Sequence, residues 1–188
     1  PKDLKEEANK KNMNPNMLTS FVDGSKTMIE MAALGNYLDF NLDIDGMHGP
    51  DSDYKSLNSI FIPESAGGLL KNINVVDFAF GVAPGVFAIV YSEDDYVNYE
   101  MEYLKMGKGP YWTLYRPYHL TSLEIPRTIM KLMVDKETQL SATSWNIEVV
   151  AHAKTDLKAG TNLGSIGGDY MYGKAMKVTN SKGLAPLG

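Results

Sequence analysis

The sequence holds no cysteine, which excludes disulfides, thiolate metal sites and a thiol nucleophile. Arginine is nearly missing: Arg116 and Arg127 are the only two in 188 residues. Histidine is scarce too, and His48, His119 and His152 do not form a spaced metal motif, so a zinc site has little support. There is no surplus of positive charge. The 18 Lys+Arg face 23 Asp+Glu, for a formal net charge of -5, which argues against a nucleic-acid partner gripped through its phosphates. No apolar run approaches the ~18–20 residues of a membrane span, and no basic start with an apolar core marks a secretory signal. The expectation is a cytoplasmic protein with neither membrane nor nucleic acid as partner. Pro1 stands where an initiator Met would, which suggests a piece of something longer.

What is present is enough for a sizeable core, since 44% of the residues are hydrophobic. Lys2 to Lys11 reads as a short solvated helix and Asn12 to Asn16 as a turn. Asp23-Gly24-Ser25 precedes good helix formers from Lys26 to Leu38. Their broad apolar band predicts a well-buried helix, with Gly35 as a point of close approach or a weakness. Asn41 to Ile44 alternates as a strand with Asp43 and Asp45 on its solvated side, and a glycine-flanked loop follows. Val75–Gly81 and Val86–Val90 read as two strands about a tight turn at Val82 to Gly85. A helix capped by Asp94 ends near Gly107, Tyr111 to His119 is an aromatic strand broken by Pro117, and Thr121 to Val134 is a further helix. The polar stretch Asp135 to Ser144 marks a boundary, beyond which Ile147 to Ala153 is a strand and the tail is rich in glycine. The fold class is α+β: a largely antiparallel or mixed sheet with helices on one face, plus a small β-rich C-terminal part.

Chemistry concentrates at three places. The first is the helix start with Asp23, Ser25, Lys26 and Glu30. A lysine there can face a negative substrate group beside free N–H donors, and Glu30 can serve as acid or base. The competing interpretation is an ordinary helix ion pair between residues four apart, worth a few tenths of a kcal/mol (about 0.2–0.5). Gly-Ser-Lys-Thr lacks the upstream glycine of a phosphate-binding loop, so a nucleotide site of that kind is not expected. The second place is His48 in GMHGP, either a titrating group in an open loop or a histidine satisfying a carbonyl. The third is LYRPYHL, with Arg116, Tyr118 and His119. Its arginine is either an anion clamp or a guanidinium stacked on an aromatic ring or paired with an acid. Trp112, Tyr111 and Tyr115 fit a core or an interface better than base stacking, because no basic groove accompanies them.

FVDGSKTMIEMAALGN, then GMHGP, YRPYHL and LEIP in that order, resemble the central domain of homoserine-dehydrogenase-like NAD(P)-dependent oxidoreductases, in particular their deoxyxylulose-phosphate-reductoisomerase-like branch. IEVVAHAKTDLKAG is similar to the start of the C-terminal SAF-type module of such proteins. The resemblance implies a substrate-binding and dimerisation domain over residues 1–143 and a partial SAF-like module over 144–188. It implies NAD or NADP as cofactor of the whole protein, a homodimer, and a small anionic carbonyl or hydroxy substrate. Lys26, His48, Arg116 and Tyr118 would then be catalytic. Asp23, Ser25, Glu30 and His119 would bind or orient, and whether Asp23 and Glu30 hold a divalent ion stays open. The dinucleotide fingerprint GxGxxG is missing, so no residue here is assigned to the cofactor. Two other functions compete: a non-enzymatic SAF-type module binding a small ligand, and a structural dimerisation unit.

Overall fold

The glycine at position 24 decides where the main helix begins. Its φ of +80° is a left-handed conformation that suits glycine, and it turns the chain from one helix into the next. The structure is a computed structural model and describes residues 4–118 and 123–187. Two compact units divide it. The first comprises Pro1–Met47, Asn74–Asp77 and Leu140–Gly188, and the second His48–Ile73 and Phe78–Gln139.

In the first unit, α1 (Lys5–Lys10) is the solvated helix expected. α2 (Pro15–Val22) was not foreseen: Asn14 caps it by accepting from the Asn16 N–H at 2.8 Å, and Pro15 occupies its first position, where a missing N–H costs little. α3 (Ser25–Leu38) follows Gly24 and stops at Asp39, whose φ of +57° ends it. Its buried side is narrower than the sequence suggests. Ser25, Met28, Ala32 and Gly35 face inward, while Ile29, Tyr37 and Leu38 are exposed. That inner side packs on β3 (Ile147–Ala153) and β4 (Met171–Lys177), an antiparallel pair with Ile147 opposite Lys177 and Ala151 opposite Gly173. β4 buries alternate residues, Met171, Gly173 and Ala175, as a half-buried strand should. The small side chains let the helix approach, and a Cβ on Gly35 would run into Ile147 Cδ1. Asn36 locks the join. Its amide accepts from the N–H groups of Asn146 and Ile147 and donates to Ile147 O at 2.9 Å. A short α7 (Val178–Ser181) follows β4.

The strand expected at Asn41 to Ile44 is a single parallel bridge between Asn41 and Val75, followed by a turn. Its residues are drawn to β4 instead: Gly46 N–H donates to Ala175 O at 2.7 Å, and Lys177 N–H donates to Asp45 Oδ1 at 2.8 Å. Asp43, expected on a solvated side, is only 4% exposed, whereas Ile44 is exposed.

In the second unit, β1 (Val86–Tyr91) pairs with β2 (Tyr111–Arg116) in antiparallel register, Val86 opposite Arg116 and Tyr91 opposite Tyr111. The expected partner of β1, Val75 to Gly81, is not a strand: within this unit its end makes one parallel bridge, Phe80 with Asp51. β2 wins because aromatic cross-strand pairs favour it, with the Tyr91 and Tyr111 rings 5.0 Å apart. α4 (Leu57–Ile60) buries Leu57 completely, and the Phe61 ring that follows lies 5.1 Å from that of Phe87. α5 (Asp95–Tyr103) is capped as predicted, Asp94 Oδ1 accepting from the Val97 N–H at 2.9 Å. α6 (Ile125–Met130) carries Pro126 in its first turn and continues as a π-helical turn, Lys131–Asp135. Helices beside antiparallel strand pairs make the class α+β, as the sequence implies.

Candidate functional site

The start of α3 gathers the largest number of the sequence-predicted residues. Asp23 closes α2, and its carboxylate turns back over the elbow: Oδ1 accepts from the Ser25 N–H at 3.0 Å. Oδ2 accepts from Lys154 Nζ at 2.7 Å, and that ammonium also donates to Gly168 O at 2.7 Å. Ser25 is fully buried, and its hydroxyl accepts from the Gly173 N–H at 2.9 Å. The elbow is thereby tied to β4 and to the segment before it. Lys26 lies on the outer side. Its Nζ is 4.4 Å from the centre of the Phe21 ring and 3.8 Å from Glu30 Oε1, with the Lys26 side chain 38% and the Glu30 side chain 49% exposed. A pair of this kind at the surface adds little stability, about 0.3–0.5 kcal/mol, and leaves the ammonium accessible to another anion. Asp23, Ser25, Lys26 and Glu30 are thus brought together in one unit.

Burial pushes the Asp23 carboxyl up, but the hydrogen bonds from Lys154 and Ser25 more than offset it and hold the group below the usual aspartate range. A carboxyl lowered on folding contributes stability that is complete above its unfolded value, about 3.9, and is lost as pH falls through the folded one. Asp23→Asn is therefore expected to flatten part of the decline of the melting temperature below about pH 4. A scan of both proteins from pH 7 to pH 2 checks this, and parallel curves would contradict it.

His48 is half-buried in the second unit, in a loop where Gly49 has a φ of +53° and a Cβ would strike the Phe78 ring. Arg116 ends β2. Its Nη2 lies 3.2 Å from Glu124 Oε1, and its guanidinium stacks 4.7 Å from the Tyr118 ring, with all three residues exposed. It borders a shallow groove of about 380 Å³ lined by Val86, Phe87, Ala88, Leu114 and Tyr115. Arg116, Tyr118 and His48 thus belong to the second unit and the Lys26 group to the first. His119 lies outside the described residues.

Lys154 and Glu124 were not singled out by sequence. Lys154 sits 131 residues from Asp23, and nothing local to a lysine after a strand announces such a partner. Glu124 lies in the LEIP segment eight residues from Arg116, a spacing that matches no helix or strand neighbour. Among the described residues no group of three or more His, Asp or Glu side chains is placed to hold a metal ion. No described helix is long and apolar enough to cross a membrane.

Among the described residues the fold offers no Rossmann-type cradle for a dinucleotide. The glycine before α3 follows a helix rather than a strand, and both strand pairs are antiparallel, so the strand–glycine loop–helix cradle for a pyrophosphate is not formed. The Lys26 group can instead present one cation, and donors beside it, to a small negatively charged oxygen.

Compared with curated proteins, the chain finds no match. A family model described as "Oxidoreductase DRL, catalytic domain" matches residues 1–125, about two thirds of the chain and the stretch that contains Asp23, Lys26, His48 and Arg116. A match over about two thirds of the chain places it in the oxidoreductase DRL catalytic-domain family.

Proposed function

We propose that this chain is the substrate-binding and dimerisation part of an NAD(P)-dependent oxidoreductase acting on a small anionic carbonyl or hydroxy compound. The observation that carries the proposal is the family match over residues 1–125, with the exposed Lys26 ammonium of the α3 start inside it. A nicotinamide cofactor, when bound to such a protein, supplies or accepts a hydride; in this proposal it is held by residues other than these. The chain's own part is to hold the substrate. Lys26 faces the substrate oxygen on which negative charge develops and stabilises it, Glu30 orients that lysine, and Asp23 fixes the helix start that carries it. Ser25 keeps the helix start in place from within. For the second unit the proposal keeps Arg116 as a clamp for a carboxylate or phosphate, with His48 and Tyr118 as further catalytic groups. In the same proposal residues 1–143 form the substrate and dimer domain and residues 144–188 the beginning of a SAF-like module.

Self-association is supported by the apolar surface of the second unit. Val86, Val90 and Leu114 on the sheet are exposed, and so are Ile125, Ile129, Met130 and Met133 on α6 and the turn after it. Exposed apolar side chains in such number mark interfaces. Light scattering should give twice 20.8 kDa, and Ile129→Glu should return the mass to the monomer value. A single 20.8 kDa species at every concentration would contradict the dimer. NADPH fluorescence should show no saturable binding to this chain alone, and tight stoichiometric binding would refute the assignment of the cofactor to other residues.

One observation favours a second function, a small-ligand module of the SAF type. A groove of about 600 Å³ runs beside α3 and β3 in the first unit, walled by Ile29, Ala33, Ile147, Ile166 and Leu187, with Trp145 on its rim. Trp145 is 68% exposed and Trp112 not at all, so ligand protection of Trp fluorescence from iodide reports on this groove.

A further inference from the structure

We infer that Lys154 is a positioning residue for Lys26: by occupying the Asp23 carboxylate it leaves the Lys26 ammonium free to meet substrate. The inference rests on the proposal that Lys26 holds the substrate, and it adds a residue from the C-terminal part of the chain to that site.

The geometry accounts for both oxygens of Asp23. One is taken by the Ser25 N–H and the other by the Lys154 ammonium. The pair is largely shielded, with the Asp23 side chain 13% and the Lys154 side chain 22% exposed. Lys154 is in turn fixed by Gly168 O, so it is anchored on two sides rather than lying over the surface. A shielded carboxylate is costly without a cation. If Lys154 is removed, the nearest cation along the chain is Lys26, three residues on. An ammonium is a compact charge on a flexible stem. Lys26 would leave the Phe21 ring and Glu30 and turn to Asp23, and the helix start would lose its accessible positive charge. A purely mechanical clasp between Lys154 and Asp23 would produce no such movement. It would only lower stability.

The test follows the position of Lys26 directly. In the native protein the Phe21 ring, 4.4 Å from the Lys26 ammonium, is expected to shift the Lys26 Hε proton signals upfield. Lys154→Met is expected to move those signals to their unshifted values and to weaken inorganic phosphate binding, read at the Lys26 and Thr27 amides, about tenfold, the equivalent of about 1.4 kcal/mol. Asp23→Asn combined with Lys154→Met removes the competing carboxylate, so the Lys26 signals are expected to return to their native positions. If Lys154→Met alone does not fold, Lys154→Gln, which keeps a donor for Gly168 O but no charge for Asp23, carries the same test with the same expected movement of the Lys26 signals. Lys26 Hε signals that stay put in folded Lys154→Met, or that stay displaced in the double variant, would overturn the inference. Failure of the native protein to bind phosphate, with the Lys26 signals still responding to Lys154, would instead count against the substrate-binding role of Lys26.

Discussion

Trp112→Ala is expected to destabilise the second unit by about 3–5 kcal/mol, the range for emptying a fully buried large aromatic site. Trp112 is the largest side chain with no exposure, and it sits in β2 opposite Val90. Its indole N–H donates to Asn98 Oδ1 at 2.9 Å, which ties β2 to α5. The chain at Gly109 comes so close that an added Cβ would stand 2.7 Å from the indole Cζ2. Truncation therefore leaves a cavity, an amide of α5 without its donor, and a strand pair without its anchor. Urea unfolding followed by circular dichroism measures the loss, with Trp145→Ala, an exposed tryptophan, as the control expected to change little. A loss below about 1 kcal/mol would show that β2 is not the support of this unit.

The second large effect concerns chemistry. In the complete oxidoreductase, Lys26→Met is expected to lower turnover about 10²–10³-fold, the usual consequence of removing one preorganised charge stabiliser from a developing oxyanion. Loss confined to substrate affinity would show instead that the lysine binds substrate and transition state alike. Lys26→Arg keeps the charge but not its compact shape, so partial activity is the expected outcome. Glu30→Gln should matter much less, because its 3.8 Å pair with Lys26 is at the surface.

Local signals made much of this fold legible. Asp94 announces α5, Pro126 the first turn of α6, and the segment Ile147 to Ala153, read as a strand, is found with those bounds. The aromatic run at Tyr111 is a strand that ends before Pro117, as a residue without an N–H requires. What stayed hidden depends on distant partners. Asn41 to Ile44 alternates like a strand but finds only one bridging partner, because β4 claims the turn that follows through Gly46 and Asp45. α2 was obscured by three asparagines and a proline that look like a turn, yet Asn14 and Pro15 are the cap and first residue of a helix. The candidate site divides in the same way. Asp23, Ser25, Lys26 and Glu30 are neighbours in sequence and so were found together. Lys154 and Gly173, which hold that elbow from far along the chain, left no local trace.

The central claim is that the exposed ammonium at the start of α3 receives the anionic part of the substrate. Titration of the native chain with inorganic phosphate, read at each backbone amide by nuclear magnetic resonance, tests it most directly. Saturable shifts centred on the Lys26 and Thr27 amides, which disappear in Lys26→Met, are the expected result. Saturable shifts elsewhere with these amides still, or shifts at these amides that survive in Lys26→Met, would contradict it.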